Sequence, residues 1–262
     1  MKINMQKKIG IVILFLCAML QTAKADVDGE YQFEGTLGDK IPVVITFCVN
    51  GDGIAVGEIY YPKAKNPAPI LIVGEALEWG YSMNEYQNDG TITGCLSFKI
   101  EEDAAGPFMT EGTWTNPKTR KEFPLKNMKC VSTSVDVPKF LDYEDPQNIG
   151  REYSFKIWNE GAQDYMGGHI SFRGAGKHKL HFEVGNVRHN IAEGRSAPDR
   201  PAVLGDYTYD YFNYENVNEC GYSFSAHFFK RFVVLKTTSD YHSLDCFGAG
   251  ASFDGVYMKI KQ

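Results

Sequence analysis

The chain has 262 residues, of which 43% are hydrophobic and 23% charged, and a formal net charge of −6. That length can bury a full core, which excludes a disulfide-only miniprotein and a disordered chain, and 26 Gly with 11 Pro is ordinary globular usage, which excludes collagen-like and low-complexity character. The acidic balance argues against a nucleic-acid partner, because neutralising phosphates needs clustered Lys and Arg.

Residues 1–25 read as an export signal. Lys2, Lys7 and Lys8 form a basic start, Ile9 to Leu20 an apolar run of 12 residues, and Ala23-Lys24-Ala25 a small-x-small cleavage site. The run falls short of the ~20 residues a helix needs to cross a bilayer. Cys17 follows Leu16, where a lipobox has a small residue, so it is expected to leave with the signal. Cleavage near Ala25 removes four Lys and no acid, leaving 23 basic and 33 acidic side chains, a net charge of −10. The expected product is a periplasmic or secreted protein with no transmembrane segment in the mature chain. It keeps Cys48, Cys95, Cys130, Cys220 and Cys246, an odd number that allows at most two internal disulfides.

From Tyr31 onward, apolar residues recur with a period near two, and turn residues interrupt them about every ten positions. The pattern predicts strands over 30–36, 41–49, 54–61, 68–75, 78–86, 91–100, 108–115 and 120–128. Asn50-Gly51-Asp52-Gly53 and Asn88-Asp89-Gly90 supply the positive φ that tight hairpins need. Such a succession suits an eight-stranded up-and-down meander closed into a barrel. Between Ser132 and Asn148 the alternation lapses into a stretch with two Pro and four acids, read as a linker. Strands resume near 151–158, 166–173, 178–184, 206–214, 220–227, 230–237 and 253–260, with Asn190 to Pro198 expected as a loop or short helical turn. The fold class is therefore all-β: a signal over 1–25, a barrel module over 26–131, a linker over 132–148, and over 149–262 a second, smaller β-barrel or sandwich. Helix content should be low, because no window of 12 or more residues sustains a 3.6-residue apolar period.

No catalytic, metal or cofactor site is expected. His169, His178, His181, His189, His227 and His242 show no spacing that clips a metal from one strand or helix. Gly-x-Ser-x-Gly, His-Glu-x-x-His and phosphate-loop motifs do not occur. Glu101-Glu102-Asp103 reads as a solvated loop, and Asp52-Gly53 as hairpin chemistry rather than a calcium loop. The most unusual segment is Asp206 to Tyr214. On a strand Tyr207, Tyr209 and Tyr211 share one face and Asp210 lies on the other. A tyrosine row beside acids can stack on sugars or anchor a protein partner; the ordinary alternative is a half-buried strand whose rings pack the core.

The stretch Cys220-Gly221-Tyr222-Ser223-Phe224, Val233-Val234-Leu235-Lys236 and Cys246 to Tyr257 resembles modules of lysozyme-inhibitor-like periplasmic proteins of Gram-negative bacteria. The first half, with Gly112-Thr113-Trp114, is similar to uncharacterised secreted β-barrel proteins of Bacteroidetes-type bacteria. The resemblance implies a Cys220–Cys246 bridge in the second module. Closing that loop of about 25 residues would constrain the unfolded chain by roughly 3 kcal/mol. Which two of Cys48, Cys95 and Cys130 would pair stays open. The expected function is an exported, non-enzymatic binding protein for a protein or glycan, with Tyr207, Tyr209, Tyr211 and Asp210 as candidate contacts. Lysozyme inhibition is its sharpest form, since a net charge of −10 draws basic partners. The alternative is a small-ligand carrier using the interior of the first barrel.

Overall fold

The computed structural model describes residues 27–134, 150–176, 179–187, 191–196, 198–199, 201–203, 211–216, 222–238 and 252–260. The expected signal over 1–25 and most of the expected linker lie outside the described residues.

Eight antiparallel strands close the first sheet into a barrel in simple chain order. They are β1 (Val27–Leu37), β2 (Ile41–Asn50), β3 (Ile54–Tyr60), β4 (Ile70–Leu77), β5 (Gly80–Tyr86), β6 (Ile92–Asp103), β7 (Gly106–Thr115) and β8 (Glu122–Ser132). Each expected strand of the first half is found, and β1 closes on β8 from Gln32↔Ser132 to Leu37↔Leu125. The interior is a packed aromatic cluster rather than a void: Phe47 lies 5.3 Å from Tyr81, 5.6 Å from Phe98 and 5.4 Å from Tyr31, and Tyr81 stacks on Phe98 at 5.1 Å. Small barrels fill with side chains in this way.

Among the described residues the second half forms one antiparallel sheet of nine strands. In space the order is β12 (Ile191–Arg195), β11 (Lys179–Val187), β10 (Asp164–Gly174), β9 (Gly150–Asn159), β17 (Gly255–Lys259), β16 (Phe232–Thr237), β15 (Tyr222–Phe228) and β14 (Tyr211–Asn216), with β13 (Ala202–Val203) also on β11. Among the described residues this sheet curls as a half-barrel without closing, so the expected smaller β-barrel or sandwich is met only in part. The expected loop at Asn190 to Pro198 is corrected, because β12 occupies its middle. Ala192 is fully buried and Gly194 abuts the Phe253 ring, so the inward positions carry residues too small to register as an apolar stripe.

The barrel and the second sheet share a core. Cys48, Ile54, Val56, Leu71, Val73, Tyr86 and Ile92, which the pleat directs outward from the barrel, belong to one hydrophobic cluster with Tyr153, Phe155, Phe232, Val234, Val256 and Met258. Strands β3 and β4 are consequently buried on both faces. The second sheet curls the face bearing Phe172, Phe182, Phe224, Phe228 and Tyr257 around its own aromatic core; Phe172 meets Phe228 edge-on at 4.8 Å, and Phe182 meets Phe224 at 5.2 Å. Among the described residues Cys48, Cys95 and Cys130 are unpaired, while the expected Cys220–Cys246 bridge lies outside the described residues.

Candidate functional site

The β5–β6 turn of the barrel docks on β9 through Gly90. Lys156 N donates to Gly90 O at 2.9 Å, and Thr91 forms a bridge with Lys156. Gly90 holds φ +82°, and a Cβ there would collide with the Ser154 carbonyl. The docked turn carries Asn88 to the second sheet, where Arg231 Nη2 donates to Asn88 Oδ1 at 3.0 Å.

Four cationic side chains meet at this junction. Arg151 comes from the start of β9, Lys230 and Arg231 from the tip of the β15–β16 hairpin, and Lys259 from the end of β17. With Asn88, Glu152, Met258 and Ile260 they line an open groove of about 310 Å³. The hairpin is closed by Phe229 N donating to Phe232 O at 2.9 Å, and the two rings stack 4.5 Å apart. Lys259 N donates to Arg231 O at 2.8 Å and Ile260 N to Glu152 O at 2.9 Å, so the end of β17 is laced between the turn and β9. Lys259 Nζ donates to Lys230 O at 3.0 Å, which holds its charge over the hairpin tip. Burial raises the half-buried Glu58 carboxyl above its ordinary value, and the Arg231 charge opposes that rise. Met258 is buried at the groove, whereas Ile260 is 43% exposed on its rim. A concave surface with four cations, one carboxylate and apolar walls focuses a positive field and suits an anion with an apolar body.

A second constellation has the residue types of a hydrolase without its access. Ser225 Oγ lies 3.3 Å from His227 Nε2, and His227 Nδ1 lies 3.6 Å from Asp52 Oδ2. A working triad exposes its serine to substrate and shields its acid. Here Ser225 is 2% exposed and donates to Lys236 O at 3.3 Å, while the Asp52 side chain is 59% exposed. Lys236 Nζ also donates to Asp52 O at 2.9 Å, so the group ties the β2–β3 turn of the barrel to β15 and β16.

A third cluster sits inside the barrel near the ends of β5 and β7. Glu85 accepts hydrogen bonds from Tyr61 and, at 3.4 Å, from Thr93. Burial drives its carboxyl above the ordinary value; Tyr61, the Trp114 indole and Thr93 oppose that shift, and burial beside Glu85 also raises the Tyr61 hydroxyl. Trp114 Nε1 is near enough to favour the anion yet makes no hydrogen bond of regular geometry. Gly94 leaves room for this pair, since a Cβ would strike both Trp114 Nε1 and Glu85 Oε2.

Of the contacts expected from sequence, Tyr207, Tyr209 and Asp210 lie outside the described residues, and Tyr211 opens β14 in register with His227. The groove residues were missed because Asn88, Arg151, Arg231 and Lys259 are scattered along the chain and only the fold assembles them. The adjacent cations Lys230-Arg231 in a two-residue hairpin tip were the one local signal. No protein-family model, no curated protein and no solved structure matches the chain.

Proposed function

We infer that the chain is an exported, non-enzymatic binding protein that engages the acidic group of a protein or glycan partner at the junction groove. The observation that supports this most is the convergence of Arg151, Lys230, Arg231 and Lys259 on one concavity in a chain whose net charge is negative. A cationic cleft in an acidic surface discriminates by sign, because the surrounding field repels anions that do not reach the cleft. The inverted access of Ser225, His227 and Asp52 supports a binding role over hydrolysis, and the aromatic filling of the barrel means that a small-ligand carrier would have to displace packed rings. Association of the acidic surface with a basic enzyme such as lysozyme is the separate, sharper form of the proposal, and unchanged lysozyme activity at low ionic strength would remove it.

The test is surface plasmon resonance of the purified protein over an immobilised acidic peptide and an acidic oligosaccharide. Saturable binding to at least one is expected, weakening as salt rises and abolished in Lys230→Glu/Arg231→Glu. No binding to either, or equal binding by the variant, would refute the groove as the seat.

A further inference from the structure

We propose that the group seated in the groove is the C-terminal residue of a peptide or protein chain, with its free carboxylate among the cations and its apolar side chain against Met258 and Ile260. The inference rests on the anion-binding reading above and narrows it to one chemistry. The groove combines two demands at short range: fixed positive charge from Lys230, Arg231, Arg151 and Lys259, and an apolar wall from Met258 and Ile260. A C-terminal residue meets both from a single carbon, which carries the carboxylate and the side chain together. An acidic side chain within a peptide offers the anion but places polar backbone where the wall is apolar. An acidic glycan offers repeated anions and hydroxyls, leaves the wall without an apolar match, and brings neighbouring negative charges past the exposed Glu152.

Size supports the same occupant. About 310 Å³ lies at the small end of the ~300–1,000 Å³ usual for ligand pockets, room for an end residue and its neighbour rather than a folded epitope. The groove is open, so the rest of a chain can leave it. The Arg231 guanidinium is held in place by Asn88 Oδ1 at 3.0 Å, which reduces the entropy lost when it grips a carboxylate.

The experiment is isothermal titration of the purified protein with four probes: acetyl-Ala-Ala-Leu with a free carboxylate, the same peptide as its C-terminal amide, acetyl-Ala-Asp-Ala amide, and a short polyuronate. The free acid should bind at least about tenfold more tightly than either amide, the scale of a lost charge-assisted contact. Its Kd should rise by about tenfold or more in Lys230→Ala/Arg231→Ala and by a smaller factor in Ile260→Ser, with unchanged melting temperatures showing that the variants remain folded. Equal binding of acid and amide, or binding of the acid that neither variant weakens, overturns the proposal. Binding of the polyuronate or the internal aspartate peptide without the free acid overturns it while leaving the anion-binding reading standing. Binding of none of the probes removes both.

Discussion

Lys156 donates its backbone N–H to the carbonyl of Gly90 at 2.9 Å, and through that bond a turn of the barrel becomes part of the second sheet's surface. The two residues lie far apart in sequence, yet this contact carries Asn88 to Arg231 and completes the groove. Gly90→Ala should therefore cost about 2 kcal/mol or more, since it combines positive-φ strain with a collision against Ser154. The urea midpoint should fall, and affinity for groove ligands should fall with it; an unchanged midpoint would mean that the turn docks by another route.

Glu85 makes stability depend on pH in a direction opposite to that of a salt-bridged carboxylate. Its folded value lies above the ordinary 4.5 because burial penalises the charge. Between the unfolded and folded values the native state holds more protons than the unfolded chain, so this group's contribution to stability falls as pH rises through that window. Glu85→Gln removes the buried charge and keeps an acceptor for the Tyr61 hydroxyl. The variant should be at least as stable as wild type at neutral pH, and its relative advantage should shrink on acidification. Paired urea midpoints across that range test this; parallel curves for the two proteins would contradict it.

Two thiols should be silent in the folded protein. Burial is the main cause that pushes the Cys48 thiol up to about 12, with the Glu30 charge adding to it. Cys95 is raised by burial and by Glu85. Because the thiolate is the reacting species, both should resist a thiol reagent at mildly alkaline pH until the chain is denatured. Peptide mapping after a short alkylation pulse checks this, and rapid labelling of Cys48 would contradict the packing at the junction.

The barrel was legible in the sequence because period-two alternation and Gly-bearing turns are local signals, and Asn50 to Gly53 and Asn88 to Gly90 do close hairpins. The shared core was only half legible. Ile54-Ala55-Val56 and Leu71-Ile72-Val73 are apolar on successive positions, the mark of strands covered on both sides, but an isolated strand does not say what covers its outer face. β12 escaped notice because Ala192 and Gly194 fill its inward positions. In the Ser225, His227 and Asp52 group, Ser225 and His227 share a face of β15 at a spacing of two, but nothing in the sequence relates Asp52 to them. The groove escaped for the same reason, since its charges come from three separate strand ends or turns of the second sheet and its completion from a turn of the barrel.

The most direct test of the groove as the ligand seat is amide chemical-shift mapping during titration with acetyl-Ala-Ala-Leu. Saturable shifts are expected at Arg151, Glu152, Lys230, Arg231 and Lys259, with Phe47, Phe98 and Trp114 inside the barrel undisturbed. Shifts confined to the barrel interior, with the groove silent, would contradict the groove as the seat and favour the carrier instead.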